Sequence, residues 1–201
     1  MRKFIAAALL AGTVFAAPAS ATVTYYYSQA AFLAALGATV PTVEDFNDTT
    51  LVPGLSILST VGTVDAGDDN VFDDRLVPNT QSTTFLLPGS FHAFGGFWDL
   101  TPGGAGLGIA ITPVPGATLG TEVPNSFSGG FFGFISSDAF NYVVLTAGTQ
   151  GGVAETYKLD DLTFGNVGPA VPEPATWGMM IVGLGVAGMA MRRRATKVSF
   201  A

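Results

Sequence analysis

Short runs of β-branched and aromatic residues, cut at intervals by Pro-Gly and Gly-Gly pairs, constrain this chain more than any other feature of its sequence. Turn signals stand at Pro53-Gly54, Pro88-Gly89, Pro102-Gly103-Gly104, Pro115-Gly116 and Gly151-Gly152. Proline cannot continue a strand ladder, and glycine takes up turn conformations that side chains resist. Between these signals, residues 40–46, 55–60, 83–87, 91–98, 107–112, 127–135, 140–146 and 155–164 read as strands. Residues 22–27 alternate in the same way and precede a helical stretch, 29–36, which Ser28 is placed to cap and Gly37 to end. This spacing predicts a mainly β chain: an antiparallel β-sandwich or jelly-roll-like domain with one short N-terminal helix.

Charge and cysteine content narrow the function. Residues 22–170 hold 14 Asp or Glu against two cations, Arg75 and Lys158, for a net charge of −12. Nucleic-acid binding is excluded, since phosphate contacts need clustered Lys and Arg. The balance suits solubility outside the cell or the binding of cations. With no cysteine in the chain, disulfides, thiolate catalysis and cysteine zinc sites are excluded as well.

The two ends read as delivery signals. Arg2 and Lys3 precede an apolar stretch and Ala19-Ser20-Ala21, the pattern of a secretory signal peptide cut by signal peptidase after Ala21, so the mature chain starts at Thr22. At the other end Val171-Pro172-Glu173-Pro174 leads into an uncharged run, Ala175 to Met191, followed by Arg192-Arg193-Arg194. As a helix the run is roughly 25 Å long at ~1.5 Å per residue, against about 30 Å of bilayer hydrocarbon. It is expected to be a single, transient inner-membrane helix, with Trp177 as an interfacial anchor and the arginines held inside.

These C-terminal features resemble the PEP-CTERM sorting signal of Gram-negative bacteria. The resemblance covers residues 171–194 and implies recognition and cutting by a membrane-embedded transpeptidase, the exosortase. It also implies a role near exopolysaccharide and biofilm. The expected division is signal peptide 1–21, secreted β-domain 22–168 and sorting signal 169–201. The expected location is the cell surface or extracellular space.

Candidate sites within the β-domain are acidic or aromatic. Asp65, Asp68, Asp69, Asn70, Asp73 and Asp74 crowd one glycine-containing stretch, a density of hard oxygen ligands that calcium favours. The spacing does not match an EF-hand, and a solvated acidic loop is the other reading. Phe91–Trp98 and Phe127–Phe134 combine aromatics with Gly95-Gly96 and Gly129-Gly130. They read as central core strands, or else as a sugar platform with Trp98, beside Asp99, as the stacking ring. Residues 131–140 and 159–164 also resemble the closing half of PEP-CTERM cargo domains and, more loosely, jelly-roll carbohydrate-binding modules. That second resemblance implies a structural calcium between first and last strands, which here makes Glu44 and Asp160 its ligands.

Catalytic signals are weak. His92 is the sole histidine and stands on an expected strand, and Gly103–Gly108 departs from the dinucleotide fingerprint at Ile109. The expectation is a non-catalytic, exosortase-processed surface or matrix protein. The alternatives are a carbohydrate-binding module with a structural calcium and, behind it, a weak glycoside hydrolase using a carboxylate pair. Extracellular polysaccharide is the expected non-protein partner.

Overall fold

The computed structural model describes residues 22–111, 118–168 and 174–192. They are mainly β, in one curled antiparallel sheet with two helices. In chain order the elements are β1 (Val23–Tyr26), α1 (Gln29–Leu36), β2 (Thr42–Glu44), β3 (Ser56–Leu58), β4 (Thr63–Asp65) and β5 (Val71–Leu76). They continue with β6 (Ser82–Leu100), β7 (Leu107–Ile111), β8 (Thr118–Val123), β9 (Gly130–Ala147), β10 (Glu155–Gly165) and α2 (Pro174–Arg192). The expected signal peptide, with Ala19 and Ala21, lies outside the described residues, as does the expected Pro115-Gly116 turn.

Two long strands make the sheet a sandwich. The first half of β6, Ser82–Leu86, pairs with the second half of β9, and the second half of β6, Ala93–Trp98, pairs with the first half of β9. The ladder breaks its register between Leu86 and Ala93, where Pro88 and Gly89 lack either a donor or a side chain to hold a straight strand. Each long strand therefore leaves one layer and enters the other. The first layer runs β4-β5-β10-β6-β9, with β1 on β9 and β2 on β10. The second holds β3, the other halves of β6 and β9, then β7 and β8. Phe85 and Phe94, both on β6 but in opposite layers, meet across the core with ring centroids 5.6 Å apart. Expected strands 83–87 and 91–98 are thus one bent strand, as are 127–135 and 140–146, apart from Phe127–Gly129, which precede β9.

The core is aromatic because the inward positions of both layers carry Phe72, Phe85, Phe94, Trp98, Phe132, Phe134, Tyr157 and Phe164 in the alternation a pleated strand requires. A second, smaller cluster lies on the outer side of the first layer, where Phe32 and Leu36 of α1 cover Phe131 and Ala93. Gly95 and Gly133 are directly opposed across β6 and β9, and the Phe131 ring occupies the room that their missing side chains leave. Helix α1 has the bounds the sequence predicts: Ser28 is extended at its start, and Gly37 ends it at φ +72°.

The stretch Asp65–Asp74, expected as a loop, is largely the β4–β5 hairpin. Its acidic residues are poor strand formers, yet Phe72, Asp74 and Leu76 point inward in alternation while Asp73 and Arg75 point out. Strand β8 has no counterpart in the sequence reading. The membrane-spanning helix expected over 175–191 is not supported: among the described residues no helix is long and apolar enough to cross a membrane. Helix α2 runs for 19 residues, Pro174–Arg192, about 28 Å at ~1.5 Å per residue. Four glycines within that stretch dilute its apolar character.

Candidate functional site

The outer side of the first layer carries a shallow groove of about 400 Å³ lined by Asp69, Phe97, Asp99, Gly129, Lys158 and Asp160, among others. Strand pairing builds it. Lys158 lies between Asp73 on β5 and Asp99 on β6, so one outward row reads Asp73, Lys158, Asp99. Asp160 pairs with Phe97 in the next row, and Phe97 with Phe131. Phe97 is half-buried, its ring edge-on to Phe131 at 5.6 Å.

One ammonium group serves several carboxylates here. Lys158 Nζ donates to Asp69 Oδ2, with both side chains partly solvated. That bond, together with Asp69, Asp73 and Asp65 charge, holds the lysine's pKa above its ordinary value. Burial pushes the Asp73 carboxyl up; Lys158 opposes this, while Asp65 and Asp69 add to it. Asp160 is raised too, first by burial and then by Asp161 and Asp45. The cation of this acidic groove is thus the protein's own lysine.

The expected calcium ligands are distributed differently. Glu44 is 3% exposed, and both its oxygens are occupied: Oε1 accepts the Phe46 N–H at 3.0 Å and Oε2 the Val52 N–H at 2.6 Å. It holds the turn that carries Phe46, a buried residue at φ +49°. Glu44 pairs with Leu162, two residues along β10 from Asp160, whose Oδ1 accepts the Asp161 N–H at 2.7 Å. In the acidic stretch Asp69 is paired with Lys158, Asp65 is on β4, Asp73 on β5, and Asp68 is exposed in the turn. No group of three or more His, Cys, Asp or Glu suited to a metal ion occurs among the described residues.

Trp98 is corrected as well. It is 1% exposed, its Nε1 donates to the Phe132 carbonyl at 3.0 Å, and its ring lies on Tyr157. Asp99 beside it does face solvent, because neighbours on a strand point to opposite sides. The Trp98 ring has no face to offer a sugar. His92 Nδ1 is 3.0 Å from the Ser136 carbonyl oxygen, a contact between β6 and β9.

Sequence reasoning missed the use made of buried acids. Besides Glu44, Glu155 accepts the Thr101 N–H at 3.0 Å and the Gly106 N–H at 2.6 Å, and burial raises its pKa in spite of them. Asp74 accepts the Ser59 hydroxyl at 2.7 Å, the Thr83 hydroxyl, and the Arg75 N–H at 2.7 Å. In a chain without cysteine, carboxylates join loops to strands.

The C-terminal exit is fixed. The Gly168 N–H donates to the Leu36 carbonyl at 2.8 Å, which seats the end of the β-domain against α1. Beyond it, Val171, Pro172, Glu173, Arg193 and Arg194 lie outside the described residues, while Pro174 opens α2, Trp177 lies within it and Arg192 closes it. This segment carries the PEP-CTERM protein-sorting motif, matched over residues 170–194. Such a motif implies export and cell-surface sorting through an exosortase, its processing partner.

No curated protein matches the chain. Solved structures that resemble it include family 29 carbohydrate-binding modules. One is 13% identical with TM-score 0.43, covering 73% of this chain and 92% of that one. A mutant of the module CBM29-2 complexed with mannohexaose is 14% identical, TM-score 0.44, covering 64% and 94%. Another, complexed with cellulohexaose, is 14% identical, TM-score 0.44, covering 67% and 97%.

Proposed function

We propose that this is an exported, exosortase-processed protein of the cell surface or extracellular matrix, with residues 22–168 as the delivered β-domain, 1–21 as its signal peptide and 169–201 as its sorting signal. The sorting motif at 170–194 carries this reading. It begins two residues after Gly168, where the β-domain is tied to α1, so the domain is complete before the processed segment starts. The role of the domain is non-catalytic, in or on extracellular polysaccharide. Calcium at Glu44 is not part of this reading, because both its oxygens already serve the 44–52 turn.

The test is processing. Proline stiffens and extends the motif, and Pro172 and Pro174 flank the one acidic residue of the segment. Replacing Pro172-Glu173-Pro174 with alanines is expected to leave an uncut chain in the membrane fraction. Normal release of that variant into the medium, followed by blotting both fractions, would overturn the reading.

A further inference from the structure

The outer side of the second layer is uncharged along its paired rows. Its first row, by strand pairing, is Ser56, Leu86 and Tyr142, and its second is Leu58, Thr84, Val144 and Ala110. The third is Ser82, Thr146 and Gly108. None of these residues is charged, in a domain of net charge −12; Glu122 stands only at the rim, on β8, where it accepts the Thr149 N–H at 2.8 Å. Both cations of the domain, Arg75 and Lys158, lie on β5 and β10 of the opposite layer.

Two grooves meet on this face. One, about 400 Å³, is lined by Ile57, Leu58, Ser59, Thr60, Ser82 and Thr84. The other, about 460 Å³, is lined by Asn79, Gln81, Ser82, Thr146 and Thr149, among others. They share Ser82, so they adjoin at the ends of β3, β6 and β9. Leu58, 55% exposed, lines the first groove among hydroxyls, and Leu86, 36% exposed, lies in the row beside it between Ser56 and Tyr142.

We propose that this face binds an uncharged polysaccharide chain. A pyranose presents C–H faces rimmed by hydroxyls, which matches methyl groups set among hydroxyls and amides. Fixed charge decides against the other partners. A polyuronate or other anionic polymer meets no cation here to offset a domain of net −12. A second copy of the chain needs an interface core that is mainly apolar, whereas Leu58 and Leu86 are the only large hydrophobics strongly exposed among the residues named in the three rows. The proposal rests on the reading of the protein as a matrix component.

The test is affinity electrophoresis of the purified full chain in gels containing hydroxyethylcellulose, galactomannan, dextran or alginate. At least one neutral polymer is expected to retard the protein, and alginate is not. Ser82→Asp and Thr146→Asp, at exposed positions, are expected to weaken retardation at least tenfold with an unchanged melting temperature. Lys158→Gln, on the opposite face, is expected to leave it intact. Retardation by alginate alone, by no polymer, or equally by the Asp variants would overturn the proposal. So would a dimer in light scattering that Leu58→Asp dissolves. Because release into the medium is scored separately, failure here leaves the sorting result standing, and the reverse holds too.

Discussion

The Tyr157 hydroxyl donates to Thr83 Oγ1 at 2.8 Å, a buried bond that joins β10 in one layer to the first half of β6 in the other. Thr83 donates onward to Asp74, and Ser59 reaches the same carboxylate oxygen at 2.7 Å. Burial, with the Asp74 charge adding to it, keeps the Tyr157 phenol far above its ordinary pKa, so it remains a donor at any physiological pH. No buried side-chain nitrogen or oxygen among the described residues lacks a partner.

The ranking of two substitutions follows. Tyr157→Phe removes one end of the relay and is expected to cost about 1 kcal/mol. Thr83→Val removes the middle, leaves the buried phenol without an acceptor and leaves the Asp74 oxygen to Ser59 alone, so it is expected to cost more, about 2–3 kcal/mol. Urea unfolding of both variants checks this, and an equal or reversed order would show that the relay is not the shared cause.

Gly95 and Gly133 should tolerate alanine unequally. A methyl group at Gly95 would lie 2.8 Å from the Gly133 Cα and 2.9 Å from Phe131, whereas one at Gly133 would meet its nearest atoms at 3.1 Å. Gly95→Ala is expected to destabilise by about 1–3 kcal/mol through overpacking, with Gly133→Ala milder. Thermal melting of the pair decides it.

The acid limb of stability should show Glu155. Burial raises its pKa above 4.5 in spite of two backbone N–H donors. The folded state therefore holds its proton to higher pH than the unfolded chain, and stability from this group is present below about pH 4.5 and lost as pH rises through the folded value. The melting-temperature advantage of wild type over Glu155→Gln is expected to be largest at the acid end and to shrink on that rise. An advantage that grows with pH would mean that the N–H donors outweigh burial.

Legibility in the sequence followed how local each signal was. The bounds of helix α1 were readable to the residue: Gly37 ends it at φ +72° with its N–H on the Ala34 carbonyl, whereas Ser28 is extended at the start and makes no side-chain cap bond. The β4–β5 hairpin was not, since Asp68, Asp69, Asp73 and Asp74 read as loop, and only cross-strand partners such as Thr83 make an inward Asp74 tolerable. Pro88-Gly89 marked a real break in the ladder, but a bend within β6 rather than a turn between strands. Trp98 was misplaced by weighing Asp99 as a neighbour, when strict alternation from Phe94 would have put it inside. The sorting motif was fully legible, being recognised as a linear segment and not through a fold. The uncharged face of the second layer had no linear signature, because its residues come from four strands.

The order of strand pairing bears on how the chain crosses a membrane. Thr22 and Ser137, joined by a hydrogen bond beside the β1–β9 ladder, are 115 residues apart, and β2 finds its partner only in β10. The N-terminal strands thus have no ladder to join until nearly the whole domain has emerged, and contacts of such long range form slowly. In a chain threaded from its N-terminus, the first layer therefore cannot close until β9 and β10 have followed β1 and β2 through.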